Sequence, residues 1–174
     1  MADRPRVFLD TGVLIAAALS ETGGARMILK LGEAGLIHLL IGPRVLKEAD
    51  AVLARKAPEA KPLLAILLDV AGVEVGKPPR QTYIELANNL ITYAPDAHVL
   101  AEAIANESDY FVALDRKHFS AHAMKGLPLT VGTPGECLGW LRVKLAQLES
   151  ETRNPKRETI GQGAGEGTDA DNDA

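Results

Sequence analysis

Short apolar runs alternate with helical patterns along most of the chain, and this alternation constrains the fold more than any other feature of the sequence. The apolar runs predict strands at residues 6–9, 38–41, 73–75, 110–113 and 129–131. The helical patterns occupy residues 13–19, 22–34, 43–56, 58–71, 79–91, 96–106 and 134–148. Such alternation is typical of a parallel sheet with helices on both faces. We therefore predict an α/β fold built on about five parallel strands.

The composition separates a folded domain, residues 1–149, from a C-terminal tail, residues 150–174. Hydrophobic residues make up 47% of the chain, enough for a sizeable core, but the tail has almost no large ones. The tail carries six acidic and three basic residues, so it holds −3 of the net charge of −4. Because it can bury too little surface to offset its ordering entropy, we predict a disordered acidic tail.

Three further features of the composition bear on the setting of the protein. No apolar run approaches the 18 residues of a membrane span, and the start MADRPR has no signal-peptide pattern. The single cysteine, Cys137, excludes an internal disulfide framework and suits a reducing cytoplasm. Aromatic residues make up only 4% of the chain, so the sequence shows no evident stacking platform for single-stranded nucleic acid.

Two predicted strands end at an aspartate. Asp10 follows the apolar run VFL, and Asp115 follows YFVAL. Ligands of parallel α/β sheets bind beyond the carboxyl ends of the strands, where the strand order reverses. If these two strands are central, their carboxylates face one another. Glu48, beside the apolar face of a predicted helix, and Asp96, at the start of another, can reach the same edge.

Each of these acids has an ordinary structural explanation when taken alone. Asp10 or Thr11 could cap the following helix, Asp96 could be an N-cap, Glu48 a solvated helix residue and Asp115 a turn residue. Taken together the acids indicate something else. Four converging carboxylates repel one another and raise each other's pKa values unless a cation lies between them. Oxygen clusters of this kind suit Mg²⁺ or Mn²⁺.

Three segments of the sequence carry a family resemblance. They are VFLDTGVLIAA, RVLKEADAVLARK and DAHVLAEAIANESDYFVALDRKHF. Over about residues 6–141 the chain resembles the PIN domain family, which includes VapC-like toxin ribonucleases and related bacterial nucleases. The resemblance implies a three-layer sandwich with a central parallel sheet, a divalent metal, Mg²⁺ or Mn²⁺, and cleavage of RNA.

The resemblance also implies roles for individual residues. It places metal binding and catalysis on the four acids, Asp10, Glu48, Asp96 and Asp115, and supporting or structural roles on Thr11 and Asp109. The family often has Asn or Ser where this chain has Gly12, and Thr where it has Ala113. Neither departure removes a ligand, but both bear on the strength of metal binding.

Basic residues flank the acids in the sequence. Such charges usually form a solvated face, but beside a metal site they can steer an RNA backbone. The residues concerned are Arg44, Lys47, Arg116, Lys117 and His118.

The leading hypothesis is a metal-dependent endoribonuclease, with toxin of a toxin–antitoxin pair as the setting suggested by the family. Its expected partner is RNA. Whether it also binds an antitoxin or a second copy of the chain is left open by the sequence. A non-catalytic PIN fold that binds RNA or protein is the first alternative. A haloacid-dehalogenase-like phosphatase is disfavoured, because that class needs a second aspartate at the position of Gly12. His98 and Glu102, one turn apart, could form half of a zinc site, but no second pair supports it.

Overall fold

The computed structural model describes residues 3–115, 117–119 and 124–153. In the described part the chain forms five strands: β1 Arg6–Leu9, β2 His38–Ile41, β3 Glu74–Val75, β4 Tyr110–Val112 and β5 Thr130–Gly132. Seven α-helices accompany them: α1 Thr11–Leu19, α2 Gly24–Glu33, α3 Pro43–Lys56, α4 Lys61–Val70, α5 Gln81–Leu90, α6 Ala94–Ala105 and α7 Pro134–Arg153. A short 3₁₀ helix, Pro58–Ala60, precedes α4.

The five strands form one parallel sheet in the order β3-β2-β1-β4-β5. β1 is the central strand, and its Phe8 is in register with Leu40 of β2 and Phe111 of β4. The chain runs from β1 to β2 and β3 on one side, and later returns to β4 and β5 on the other. The strand order therefore reverses between β1 and β4, which is where this class of sheet binds ligands. The predicted parallel α/β sandwich is confirmed.

The buried strands supply the centre of the core. Val7, Phe8 and Leu9 of β1 are fully buried, as parallel strands covered on both faces require. The ring of Phe111 packs 5.8 Å from Phe8 and 5.0 Å from Phe119, measured between ring centroids. These aromatic contacts join β1, β4 and the segment after Asp115. The floor of the sheet edge below Asp10 is thus rigid and apolar.

Among the helices only α3 has the predicted boundaries, and three of the differences affect the interpretation. The helix predicted at 58–71 divides into the 3₁₀ turn and α4, with Pro62 in the first turn of α4. α6 begins at Ala94, so Asp96 lies inside its first turn instead of opening it. α7 continues to Arg153, five residues beyond the predicted end. Residues 150–153, assigned to the tail, are therefore helical, and the rest of the predicted tail, 154–174, lies outside the described residues.

Within the described residues, no single helix is both long and apolar enough to cross a membrane. α1 and α2 meet that criterion only as a pair, across a bend of 93°.

Candidate functional site

Asp10 stands at the carboxyl end of the central strand and begins the next helix. Its backbone N–H continues the sheet by donating to Val112 O at 3.0 Å, and its side-chain Oδ1 accepts from Thr11 N at 2.8 Å. Asp10 is the N-cap residue of α1. The structural explanation offered by the sequence is thus correct for this residue. One N-cap hydrogen bond, however, uses only part of the capacity of a carboxylate to accept hydrogen bonds.

The environment of Asp10 disfavours its charge. The pKa of Asp10 is raised from 3.8 to about 6, chiefly by burial. The charges of Asp96, Glu48 and Asp115 add to the rise, and the hydrogen bond from Thr11 N opposes it. All three other acids therefore act on Asp10 electrostatically. The four carboxylates predicted from the sequence are brought to one place by four different segments of the fold.

Asp96 and Asp115 meet at a histidine ring. Nδ1 of His118 lies 2.8 Å from Asp96 Oδ2 and 3.2 Å from Asp115 Oδ2. Burial raises the pKa of Asp96, and the neighbouring His118 opposes the rise. Asp115 also accepts a hydrogen bond from Lys117 N through Oδ1, at 2.7 Å, which fixes the turn after β4. Two carboxylates thus direct oxygens at a single point.

Glu48 reaches the site from the second turn of α3. It lies one turn after buried Val45 and is itself exposed, beside the helix face that packs on the core. The Thr11 hydroxyl donates to Glu48 Oε2 at 3.3 Å, so the start of α1 holds the Glu48 side chain. This contact is consistent with the supporting role that the family resemblance implies for Thr11, and that role remains a prediction. Gly12, next in the chain, leaves ordinary van der Waals room beside Leu114, 3.5 Å from the position of an added Cβ.

A cleft of about 440 Å³ opens above these residues. Its polar side holds Asp10, Glu48 and Asp96, and its apolar side includes Ile15, Val52 and Val99. Asp115 does not line the cleft itself, but its charge acts on two of the acids that do. The cleft therefore has room for a small cation at its acidic side and for part of a larger substrate against its apolar side.

Asp109 does not join the site. It precedes β4, at the amino end of the strand, and its Oδ2 accepts from Arg6 N at 2.7 Å. Asp109 therefore ties β4 to the start of β1 at the opposite edge of the sheet, away from the acidic site. Of the basic residues, Arg44, Lys47 and Lys117 are exposed next to the acidic elements, and Arg116 lies outside the described residues.

Glu102 is a buried acid whose role the sequence analysis missed. Its side chain is only 1% exposed, Oε1 accepts from Arg44 N at 3.2 Å, and Oε2 has no hydrogen-bond partner among the described residues. Burial raises the pKa of Glu102, while the hydrogen bond from Arg44 N opposes the rise. His98 Nε2 lies 3.8 Å from Glu102 Oε1. No further ligand among the described residues completes a zinc site with this pair. Glu102 instead links α6 to the first turn of α3.

A signal for Glu102 existed in the sequence. The residue lies between Ala101 and Ala103 on a helix of almost unbroken apolar residues, where a solvated glutamate is not expected. The structure adds a reason for Gly42, because a side chain there would collide with the Glu102 carboxyl group. Both indicate a buried carboxylate packed against the loop that leads into α3.

The four acids offer a divalent cation the oxygen ligands it prefers. Carboxylate oxygens from four segments are the ligands that Mg²⁺ and Mn²⁺ take, and the charges of the other three acids add to the rise in the Asp10 pKa that burial causes. Over residues 3–115, 117–119 and 124–153, however, no three His, Cys, Asp or Glu side chains stand close enough to ligate one ion as they lie. His118 draws two carboxylates to itself instead. The residues fit the ion in their chemistry, although Asp96 and Asp115 are bonded to His118 in this arrangement.

Comparison with known proteins agrees with this geometry. The family model described as PIN domain matches residues 6–117, which is more than half of the chain. Among solved structures, the chain resembles one in the crystal structure of VapBC2 from Rickettsia felis bound to a DNA fragment from their promoter, with a TM-score of 0.57 and 19% identity. The match covers 74% of this chain and 98% of that one. No curated protein matches significantly. On the family match, the sheet order and the acidic edge, the chain belongs to the PIN domain family.

Proposed function

We propose that the chain is a divalent-metal-dependent endoribonuclease that hydrolyses RNA phosphodiester bonds. One observation carries the proposal: Asp10, Glu48, Asp96 and Asp115 come from four separate segments and act on one another at the edge where the strand order reverses. A fold gains no stability from gathering like charges. Their convergence is explained when the site binds a cation and, through it, a phosphate.

The residues of the chain divide the work between them. Asp10, Asp96 and Asp115 would hold the ion, and Glu48 would be a further ligand or the base that orients the attacking water. When bound, Mg²⁺ or Mn²⁺ supplies positive charge against the charge that develops on the phosphate, and favours ionisation of water. The Thr11 hydroxyl keeps Glu48 directed at the cleft. Asp10, at the buried carboxyl end of β1, would be the ligand contributed by the central strand.

Basic residues at the rim would guide the RNA backbone. Arg44 and Lys47 lie on the exposed side of α3, which also carries Glu48, and Lys117 follows Asp115. Their charge compensates for acids that would otherwise repel a polyanion. We expect Arg44→Ala and Lys47→Ala to weaken RNA binding for all sequences alike and to reduce its salt dependence.

We further propose that the chain is the toxin of a toxin–antitoxin pair. The support is the family together with the VapBC2 structure, which is a complex bound to promoter DNA. Toxicity on induced expression, relieved by co-expression of the neighbouring small reading frame, tests this setting. Expression without any growth effect in the native host would count against it.

Product analysis tests the chemistry of the cut. Attack by water with departure of the 3′ oxygen leaves 5′-phosphate and 3′-hydroxyl ends, and one 2′-deoxy sugar at the scissile position should not prevent it. EDTA should stop cleavage, and Mg²⁺ or Mn²⁺ should restore it. Asp10→Asn and Asp115→Asn should abolish it, whereas Asp69→Asn, an exposed acid on α4, should not. Cyclic 2′,3′-phosphate ends, or full activity in EDTA, would refute the mechanism.

A non-catalytic scaffold is the second candidate, because no three ligands are yet in place among the described residues. Calorimetric titration with Mg²⁺ and Mn²⁺ separates the two. Binding that disappears in Asp10→Asn supports the nuclease, and RNA binding without any binding of metal at millimolar concentration supports the scaffold.

A further inference from the structure

Two aromatic rings from distant parts of the sequence stack at the rim of the acidic site. The ring of Tyr93 lies over the imidazole of His118, with 5.7 Å between ring centroids and 24° between ring planes. Tyr93 is 55% exposed and the His118 side chain 44% exposed. All seven Phe, Tyr and Trp residues of the chain lie in its described part, and Tyr93 alone among them is in the exposed class. An aromatic surface open to solvent therefore occurs at one place.

The stack is held in a fixed relation to the acids. Tyr93 is the N-cap residue of α6, whose first turn carries Asp96. The edge of the His118 ring is bonded to Asp96 and Asp115, at 2.8 and 3.2 Å, while its face meets Tyr93. The His118 ring thus contacts two of the four carboxylates directly, and the Tyr93 ring is separated from them by the His118 ring alone. Any group that lies on the rings is close to whatever the carboxylates bind.

A purely structural role does not account for Tyr93. Its side chain makes no capping hydrogen bond at the start of α6. Tyr110 and Trp140 show how this protein uses rings for packing, since they are in contact at 5.1 Å, with Tyr110 buried and Trp140 half-buried. Tyr93 contributes little to that core. More than half of its side chain is exposed, and the ring contacts His118, which is bonded to Asp96 of the cleft.

We propose that Tyr93, backed by His118, is a positioning residue that binds one nucleobase of the substrate by stacking. The proposal rests on the proposed ribonuclease function and adds to it the place where the nucleotide beside the scissile phosphate is held. Every base has a π face, so stacking tolerates any sequence. A base can lie on Tyr93 only when it is free of its own stack, so the nucleotide concerned has to be unpaired.

The test combines protein variants with abasic substrates. A short RNA with one mapped cleavage site is prepared intact and with single abasic nucleotides at each flanking position. Tyr93→Ala should raise KM for the intact RNA about 5- to 150-fold, the range of one base–aromatic stack, with kcat nearly unchanged. Tyr93→Phe and Tyr93→Trp should retain the wild-type KM. Tyr93→Leu, which is apolar but lacks a ring, should resemble the alanine variant.

The abasic RNAs make the assignment specific. One abasic position should cost the wild-type protein as much in KM as the Tyr93→Ala substitution does, and should cost the variant almost nothing more. Equal losses from that position in both proteins, or an unchanged KM in Tyr93→Ala, would overturn the stacking site while leaving the ribonuclease proposal intact. A wild-type protein that neither binds nor cuts any RNA would overturn both. Thermal melting of each variant confirms that the fold is retained.

Discussion

Replacing Asp10 by Asn should stabilise the protein in the absence of metal. The same substitution should abolish the proposed nuclease activity in the presence of metal. The folded-state pKa of Asp10, about 6, lies above the ordinary value of 3.8. Folded protein therefore binds the Asp10 proton more tightly than unfolded chain does, and stability falls as pH rises from 3.8 to 6. The full cost, present above pH 6, is about 3 kcal/mol at 1.36 kcal/mol for each pKa unit. Asparagine carries no charge and still caps α1.

The effect is large enough to measure by unfolding. At pH 7.5 in EDTA, Asp10→Asn should gain up to about 3 kcal/mol, or about 6–12 °C in Tm for a domain of this size. The gain should shrink as pH is lowered from 6 and vanish below 3.8. Asp69→Asn, on the exposed face of α4, is the matched control and should stay within about 0.5 kcal/mol of wild type at every pH.

Metal should reverse the order of stability. An ion that binds only the folded state stabilises it by mass action, by about 4.1 kcal/mol at a thousand times Kd, which exceeds the gain of about 3 kcal/mol expected for Asp10→Asn. Wild type should gain this from Mg²⁺, and Asp10→Asn should gain much less. The reasoning fails if Asp10→Asn is less stable than wild type at pH 7.5 in EDTA, or if the difference between them does not depend on pH.

Three other changes test the supports of the site. Thr11→Val keeps the shape but removes the hydrogen bond to Glu48, so kcat/KM should fall about 10- to 100-fold while Thr11→Ser retains activity. Gly42→Ala drives a methyl group into the Glu102 carboxyl and should cost about 1–3 kcal/mol in urea unfolding, a loss that Glu102→Ala in the same chain should relieve. Deleting residues 154–174 should leave Tm unchanged, because that segment has few large apolar residues; a clear drop would show that it packs on the domain.

Strands and caps were predictable because their causes are local. The sequence predicts β1 and β2 to the residue, since both are unbroken apolar runs bounded by polar or turn residues. The capping box at the start of α7 is also visible as Thr133 and Glu136 three residues apart, and the Thr133 N–H donates to Glu136 Oε2 at 2.8 Å. Side-chain pattern within one turn is enough for such features.

The acidic site was predictable only in outline. Residues that follow neighbouring parallel strands meet at one edge of the sheet, and this rule brings Asp10 and Asp115 together. Asp109 lies only six residues before Asp115 but belongs to the opposite edge, and this becomes clear only when the limits of β4 are known. The stack of Tyr93 on His118 was out of reach for another reason. It depends on how α6 and the turn after β4 pack in space, and no periodicity in the sequence records that.

The pairing of β1 with β4 determines when the site can exist. The two strands are neighbours in the sheet, yet the hydrogen bond from Arg6 N to Asp109 beside them spans 103 residues of sequence. At ribosomal rates of about 5–20 residues per second, that separation corresponds to roughly 5–20 s of synthesis. For most of this interval Asp10 is already made but Asp96 is not, and Asp115 is made only after it. The nascent chain therefore has no assembled acidic centre until translation of its domain is nearly complete.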